Sequence, residues 1–135
     1  DIAGPGGRFG VTPHVVPSAC GRMSTVPVQA AVRHFLHDAD IETAAAAAAQ
    51  LTPQPTAGHR LRTPTTARFA ALPKLYVCAT QDRSVLPQAQ RAMAASAPNV
   101  TLREIETGHV PQVIRPVELV DLMTSWLSET AGSAG

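Results

Sequence analysis

Aromatic side chains are scarce in this sequence: three Phe, one Tyr and one Trp make up 4% of 135 residues. A core must therefore be assembled from Ala, Val, Leu and Ile. Lysine occurs once, as Lys74, and the formal net charge is only +1. That balance argues against a nucleic-acid protein, which carries a basic face, and against a polybasic binder of anionic membranes. No apolar run approaches the ~18 residues of a membrane helix. Cysteine appears twice, as Cys20 and Cys78, far apart and outside any CxxC. A disulfide framework needs more. Cys78 lies inside an apolar run and reads as a buried, reduced thiol, so a cytoplasmic location is expected. The chain opens on Asp1 rather than Met and shows no signal peptide. It reads as a processed protein or a piece of a longer one.

What is present suits one globular domain. The composition is 44% hydrophobic and 16% charged, and the length allows a single core. Abundant Ala and the near-exclusive use of Arg suggest a GC-rich bacterial genome. Residues 1–27 are broken by Gly and Pro and read as irregular loop, with neither helix nor strand. Residues 28–37 space Val28, Ala31, Val32, Phe35 and Leu36 on one helical face. Asp40 is an N-cap for a second helix over 41–51, whose alanine run is the strongest helix former available. Pro53 and Pro55 stop it. A Pro/Thr/Arg-rich connector over 52–73 contains a short helix near 67–71.

The texture changes at Leu72. Residues 75–80, LYVCAT, form an apolar run of the kind buried on both faces in parallel sheets. A helix over 87–96 begins on Pro87. Residues 100–106 alternate as a second strand. Residues 107–111 read as loop. A last helix covers 116–129, with Val117, Val120, Leu122, Met123, Trp126 and Leu127 as its packing face, and 130–135 is a tail. Two successive βα units predict an α/β layer with parallel strands.

Two polar residues stand out by position. Asp82 lies just past the end of the first strand and His109 just past the end of the second. Ligands of open parallel sheets sit beyond the carboxyl ends of the strands. Adjacent strands would bring both residues to one rim. A carboxylate there fixes a His tautomer and stabilises the imidazolium formed when the ring takes a proton. The bland alternatives are a turn-forming Asp and an exposed loop His.

A set of short motifs favours the first reading. Pro73-Lys74 precedes the strand, and Thr80-Gln81-Asp82, Pro87 and Gln90-Arg91 follow it. Gly108-His109 and then Arg115-Pro116-Val117-Glu118-Leu119 complete the pattern. This segment resembles the C-terminal end of an α/β-hydrolase and is similar to the plant methylesterase and hydroxynitrile lyase group and its bacterial relatives. Phe35-Leu36-His37-Asp38 and Leu51-Thr52-Pro53-Gln54-Pro55 resemble the helical cap of that group. The resemblance implies an α/β chain made of a cap-like segment over 28–71 and a βαβα core segment over 72–129. It implies a triad acid at Asp82, a triad base at His109, a small-molecule ester substrate and no cofactor or metal. No lysine stands near His109 to suggest cyanohydrin cleavage.

The resemblance also exposes a gap. The family sets its Ser on a strand-to-helix elbow, G-x-S-x-G, and this pattern is missing. Gly21-Arg22-Met23-Ser24 has the wrong spacing, and Ser84 belongs to no elbow. The oxyanion donors are missing as well. The expectation is a partial serine hydrolase, inactive alone, that needs the nucleophile half. The alternative is an inactive remnant acting as a binding or dimerisation domain, whose shortened sheet seeks a second copy or a complementing chain. A metal site at His34, His37, Asp38 and Asp40 lacks a further His or Cys at a usual spacing. The alanine run reads as a tightly packed interior helix before a partner-binding one, and Cys78 as structural before nucleophilic.

Overall fold

The computed structural model describes residues 10–61 and 64–132. The expectations for 1–9 and 133–135 lie outside the described residues. The chain folds as a helical pair set against a parallel βαβα layer. α1 (Val28–Phe35) buries Ala30 and Ala31 and ends at Leu36. α2 (Ile41–Ala49) starts where Asp40 accepts a 2.8 Å bond from the Thr43 N–H, satisfying one of the free donors of the first turn. Ala44 and Ala48, one turn apart, face inward. Ala31, Leu36, Ala44 and Ala48 form the helical core, with Val32, Phe35, Val110, Val113 and Ile114 packed around it. The alanine helix is one-sided rather than interior: Ala45, Ala46 and Ala49 face solvent. Alanine carries no pattern to tell the two cases apart.

A short α3 (Ala67–Ala71) leads into the layer. The single lysine serves its C-terminus: Lys74 Nζ donates to the carbonyls of Phe69, Ala70 and Leu72. Asn99 adds bonds to Ala70 and Ala71. Asn99 sits at φ 56°, a left-handed position that Asn tolerates better than most residues, and turns the chain into the second strand.

Two six-residue strands flank the crossover helix α4 (Pro87–Ser96). They pair in parallel from Lys74↔Val100 to Ala79↔Ile105. Below we call Lys74–Ala79 β4 and Val100–Ile105 β5, since three short strands precede them. A helical turn, α5 (Pro111–Ile114), and the long α6 (Pro116–Gly132) complete the chain.

Four expectations need correction. The stretch before Val28 is not free of structure. It holds β1 (Val16–Pro17) and β2 (Met23–Thr25), which join β3 (Gln54–Pro55) in a small antiparallel sheet. These strands are two or three residues long and pair across the sequence, Met23 with Pro55, so no local periodicity announces them. Second, the loop read over 107–111 ends a residue early: α5 begins on Pro111 and fills the stretch before α6 that had no assignment. Third, β4 is buried only at Cys78 and Ala79 and half-buried elsewhere, because among the described residues β5 alone pairs with it. Fourth, Val117, Val120, Met123 and Leu127 on α6 are exposed, although their spacing marks an apolar face.

The helical core makes a sharp prediction. Leu36 is 4% exposed at its centre, whereas Ile41 is 89% exposed. Leu36→Ala should lower the unfolding free energy by about 2–5 kcal/mol. Ile41→Ala should stay within about 0.5 kcal/mol of the parent. Urea titration checks both, and equal losses would contradict this placement of the core.

Candidate active site

The carboxyl ends of β4 and β5 form one rim. The ladder continues past the strands, with Thr80 N–H bonding the Ile105 carbonyl and Gln81 N–H bonding the Thr107 carbonyl. The two loops therefore leave the sheet side by side. Asp82 and His109, the residues singled out by sequence position, meet there: His109 Nδ1 lies 2.9 Å from Asp82 Oδ2.

Each oxygen of Asp82 has its own task. Oδ1 accepts the backbone N–H groups of Ser84 at 2.7 Å and Val85 at 3.0 Å, so Asp82 forms the turn after the strand. Oδ2 accepts from His109 and from Gln90 Nε2 at 3.1 Å. Asp82 is 6% exposed. Burial pushes its carboxyl up, but the hydrogen bonds from His109, Ser84 and Val85 outweigh it and leave the group below its ordinary value.

Gln90 is the participant whose role sequence reasoning missed. It projects from α4 and is 4% exposed. Its amide donates to Asp82, to the Val85 carbonyl at 2.7 Å and to the Ala79 carbonyl at 3.3 Å, and its oxygen accepts the Ala79 N–H at 3.0 Å. The signal was there: Gln90 stands one helical turn before the buried Ala94, and a buried amide needs partners.

His109 is half-buried, and its ring stacks on Phe35 with centroids 4.7 Å apart and planes at 23°. Asp82 fixes Nδ1 as the protonated nitrogen, because an ionised carboxylate only accepts. That leaves Nε2 with a lone pair. No hydroxyl of a described serine bonds it. Ser24 lies on β2 and Ser84 in the turn after Asp82. Phe35 also walls a mostly apolar cavity of about 540 Å³ formed with Val15, Val26, Leu51 and Ser24.

The other candidates separate. Asp40 caps α2. His34 lies beside His14, with ring centroids 5.1 Å apart, and burial with the charges of its neighbours lowers its pKa. His37 and Asp38 point at the rim. Among the described residues no group of three His, Cys, Asp or Glu side chains could hold a metal. Cys78 is buried, and burial raises its thiol. Cys20 is exposed, and its contact with Ser18 lowers it to about 7. No described helix is long and apolar enough to cross a membrane.

No family model matches the chain, and no curated protein does. Solved structures do. A pyrethroid hydrolase from Sphingobium faniae JZ-2 superposes at TM-score 0.75 with 21% identity, covering 89% of this chain and 49% of its own. A pyrethroid hydrolase crystallised with BIF gives 0.71 at 18% identity, covering 88% and 48%. A mutant polyneuridine aldehyde esterase gives 0.66 at 14%, covering 76% and 42%. The chain spans about half the length of these proteins. It has the fold of the C-terminal portion of an α/β-hydrolase.

The lowered Asp82 pKa carries a pH signature. A carboxyl held below its unfolded value of ~3.9 contributes stability that is present above about pH 4 and lost as pH falls through the folded value. The stability gap between the parent and Asp82→Asn should therefore narrow below about pH 4, as read by urea unfolding at stepped pH. A gap constant from pH 6 to pH 3 would contradict the assignment.

Proposed function

We propose that this chain supplies the acid and base of a Ser-His-Asp triad in an esterase, and that the serine and oxyanion donors come from sequence outside these 135 residues. The observation that carries the proposal is the buried Asp82 bonded to His109 Nδ1 at the rim of a parallel sheet. In this reading His109 Nε2 takes the proton of the attacking serine as its oxygen bonds to the ester carbonyl carbon. The ring then returns that proton to the alkoxide that leaves. Asp82 keeps the tautomer fixed and stabilises the imidazolium between the two transfers. The cavity walled by Phe35 would take an apolar part of the ester, with residues 28–71 acting as the cap over the site. No step calls for a metal or an organic cofactor.

The likeness to hydrolases and an esterase, each about twice as long as this chain, supports the reading. So does the exposed apolar stripe of α6, which a complementing half would cover. That stripe also favours a second reading, an inactive domain that associates with a copy of itself.

In the complete protein, His109→Ala should cut turnover of an unactivated ester by about 10⁴-fold or more. These 135 residues alone should show none. Retained turnover in His109→Ala would overturn the triad. Turnover by the isolated chain that His109→Ala removes would show that it holds a nucleophile of its own.

A further inference from the structure

We infer that His37 and Asp38 are positioning residues, a clamp that sets the spacing between the loops bearing Asp82 and His109. The inference rests on the triad reading for its catalytic meaning, but its geometry stands apart from it. The two residues follow α1 in sequence and sit in the turn anchored by the buried Leu36. Their side chains are 7% and 17% exposed.

Each residue seizes the backbone next to one member of the pair. His37 Nε2 lies 3.0 Å from the carbonyl oxygen of Gln81, which precedes Asp82. A carbonyl only accepts, so Nε2 carries the proton. Asp38 Oδ2 accepts the N–H of Gly108, which precedes His109, at 2.6 Å, and the Thr107 hydroxyl at 2.9 Å. Both bonds to Asp38 are assisted by its charge. His37 Nδ1 stands 3.3 Å from Asp38 Oδ1, so the two side chains lie against each other between the loops. Thr107 is fully buried.

The glycine before His109 supplies an independent mark of the clamp. A Cβ at Gly108 would sit 2.6 Å from Asp38 Oδ1, 2.7 Å from His37 Cε1 and 2.9 Å from His37 Nδ1. Those contacts are too short for any side chain, so the clamp closes only on bare backbone. Phe35, two residues before His37, meanwhile stacks on the His109 ring. One turn of chain thus fixes the ring face, the backbone beside the acid and the backbone beside the base. Such restraint matters because a reacting group displaced by ~1 Å can lose on the order of 10²-fold in rate.

The test reads the His109–Asp82 bond by nuclear magnetic resonance on the chain itself. The low-field His109 Nδ1 proton is assigned by its loss in His109→Gln. Its exchange with water should quicken at least about tenfold in Asp38→Ala, which removes the charge-assisted bonds that hold the loop, and in Gly108→Ala, whose methyl group forces the Asp38 and His37 side chains off it. Asp38→Asn keeps an oxygen that accepts both bonds, so its exchange should stay within about threefold of the parent. Thr107→Val, which removes one bond and little volume, covers the case in which Asp38→Ala unfolds. It should exchange at least about threefold faster. Exchange unchanged in Asp38→Ala and Gly108→Ala, or in Thr107→Val, overturns the clamp and leaves the triad reading standing. Ester turnover that survives His109→Ala overturns the triad reading and leaves the exchange result untouched.

Discussion

A carboxylate buried at the end of a sheet stays ionised only if hydrogen-bond donors replace the water it has lost. Asp82 has four such donors: two backbone N–H groups of its own turn, the Gln90 amide and the His109 ring. The rest of the rim follows from satisfying that one group. The turn after β4 closes around Oδ1. α4 is held with Gln90 inward, and the same amide ties down both backbone groups of Ala79. His109 is drawn toward Oδ2, which fixes its tautomer and leaves Nε2 as the one nitrogen able to take a proton.

The parallel layer alone would leave His109 loosely held, since it sits on a loop past the last ladder bond. The helical segment meets that need. Leu36 plants the end of α1 in a small alanine-rich core, and the three residues Phe35, His37 and Asp38 then reach the rim together. Small side chains suit this task. Ala44 and Ala48 let α2 approach α1 closely, so few aromatics are required. The energetic weight falls on a few buried groups, while the outer face of α6 stays exposed and apolar, unmatched by any described element.

The βαβα layer was legible because each of its elements carries its own mark. Pro87 opens α4, the run through Cys78 marks β4, and alternation marks β5. The meeting of Asp82 and His109 followed from topology, since parallel neighbours end on the same rim. Other features were hidden for physical reasons. The pairing of Met23 with Pro55 depends on tertiary contact and leaves no periodic trace. The exposure of Val117 and Val120 depends on what else packs on α6, which the helix sequence does not encode. His37 and Asp38 carry no sequence mark of their bonds to the rim, because a side chain that bonds distant backbone looks the same in sequence as one facing water. Gln90 was the nearer miss, a polar residue in the buried register of its own helix.

We propose that His109 activates a serine supplied from beyond these 135 residues. A fluorophosphonate reacts with a serine only when its hydroxyl is activated, and mass spectrometry locates the adduct. The account predicts a single adduct in the complete protein, on a serine outside this segment, formed at least about 10³-fold more slowly in His109→Ala. An adduct whose rate is unchanged in His109→Ala, or no adduct in a protein that hydrolyses esters, would contradict it.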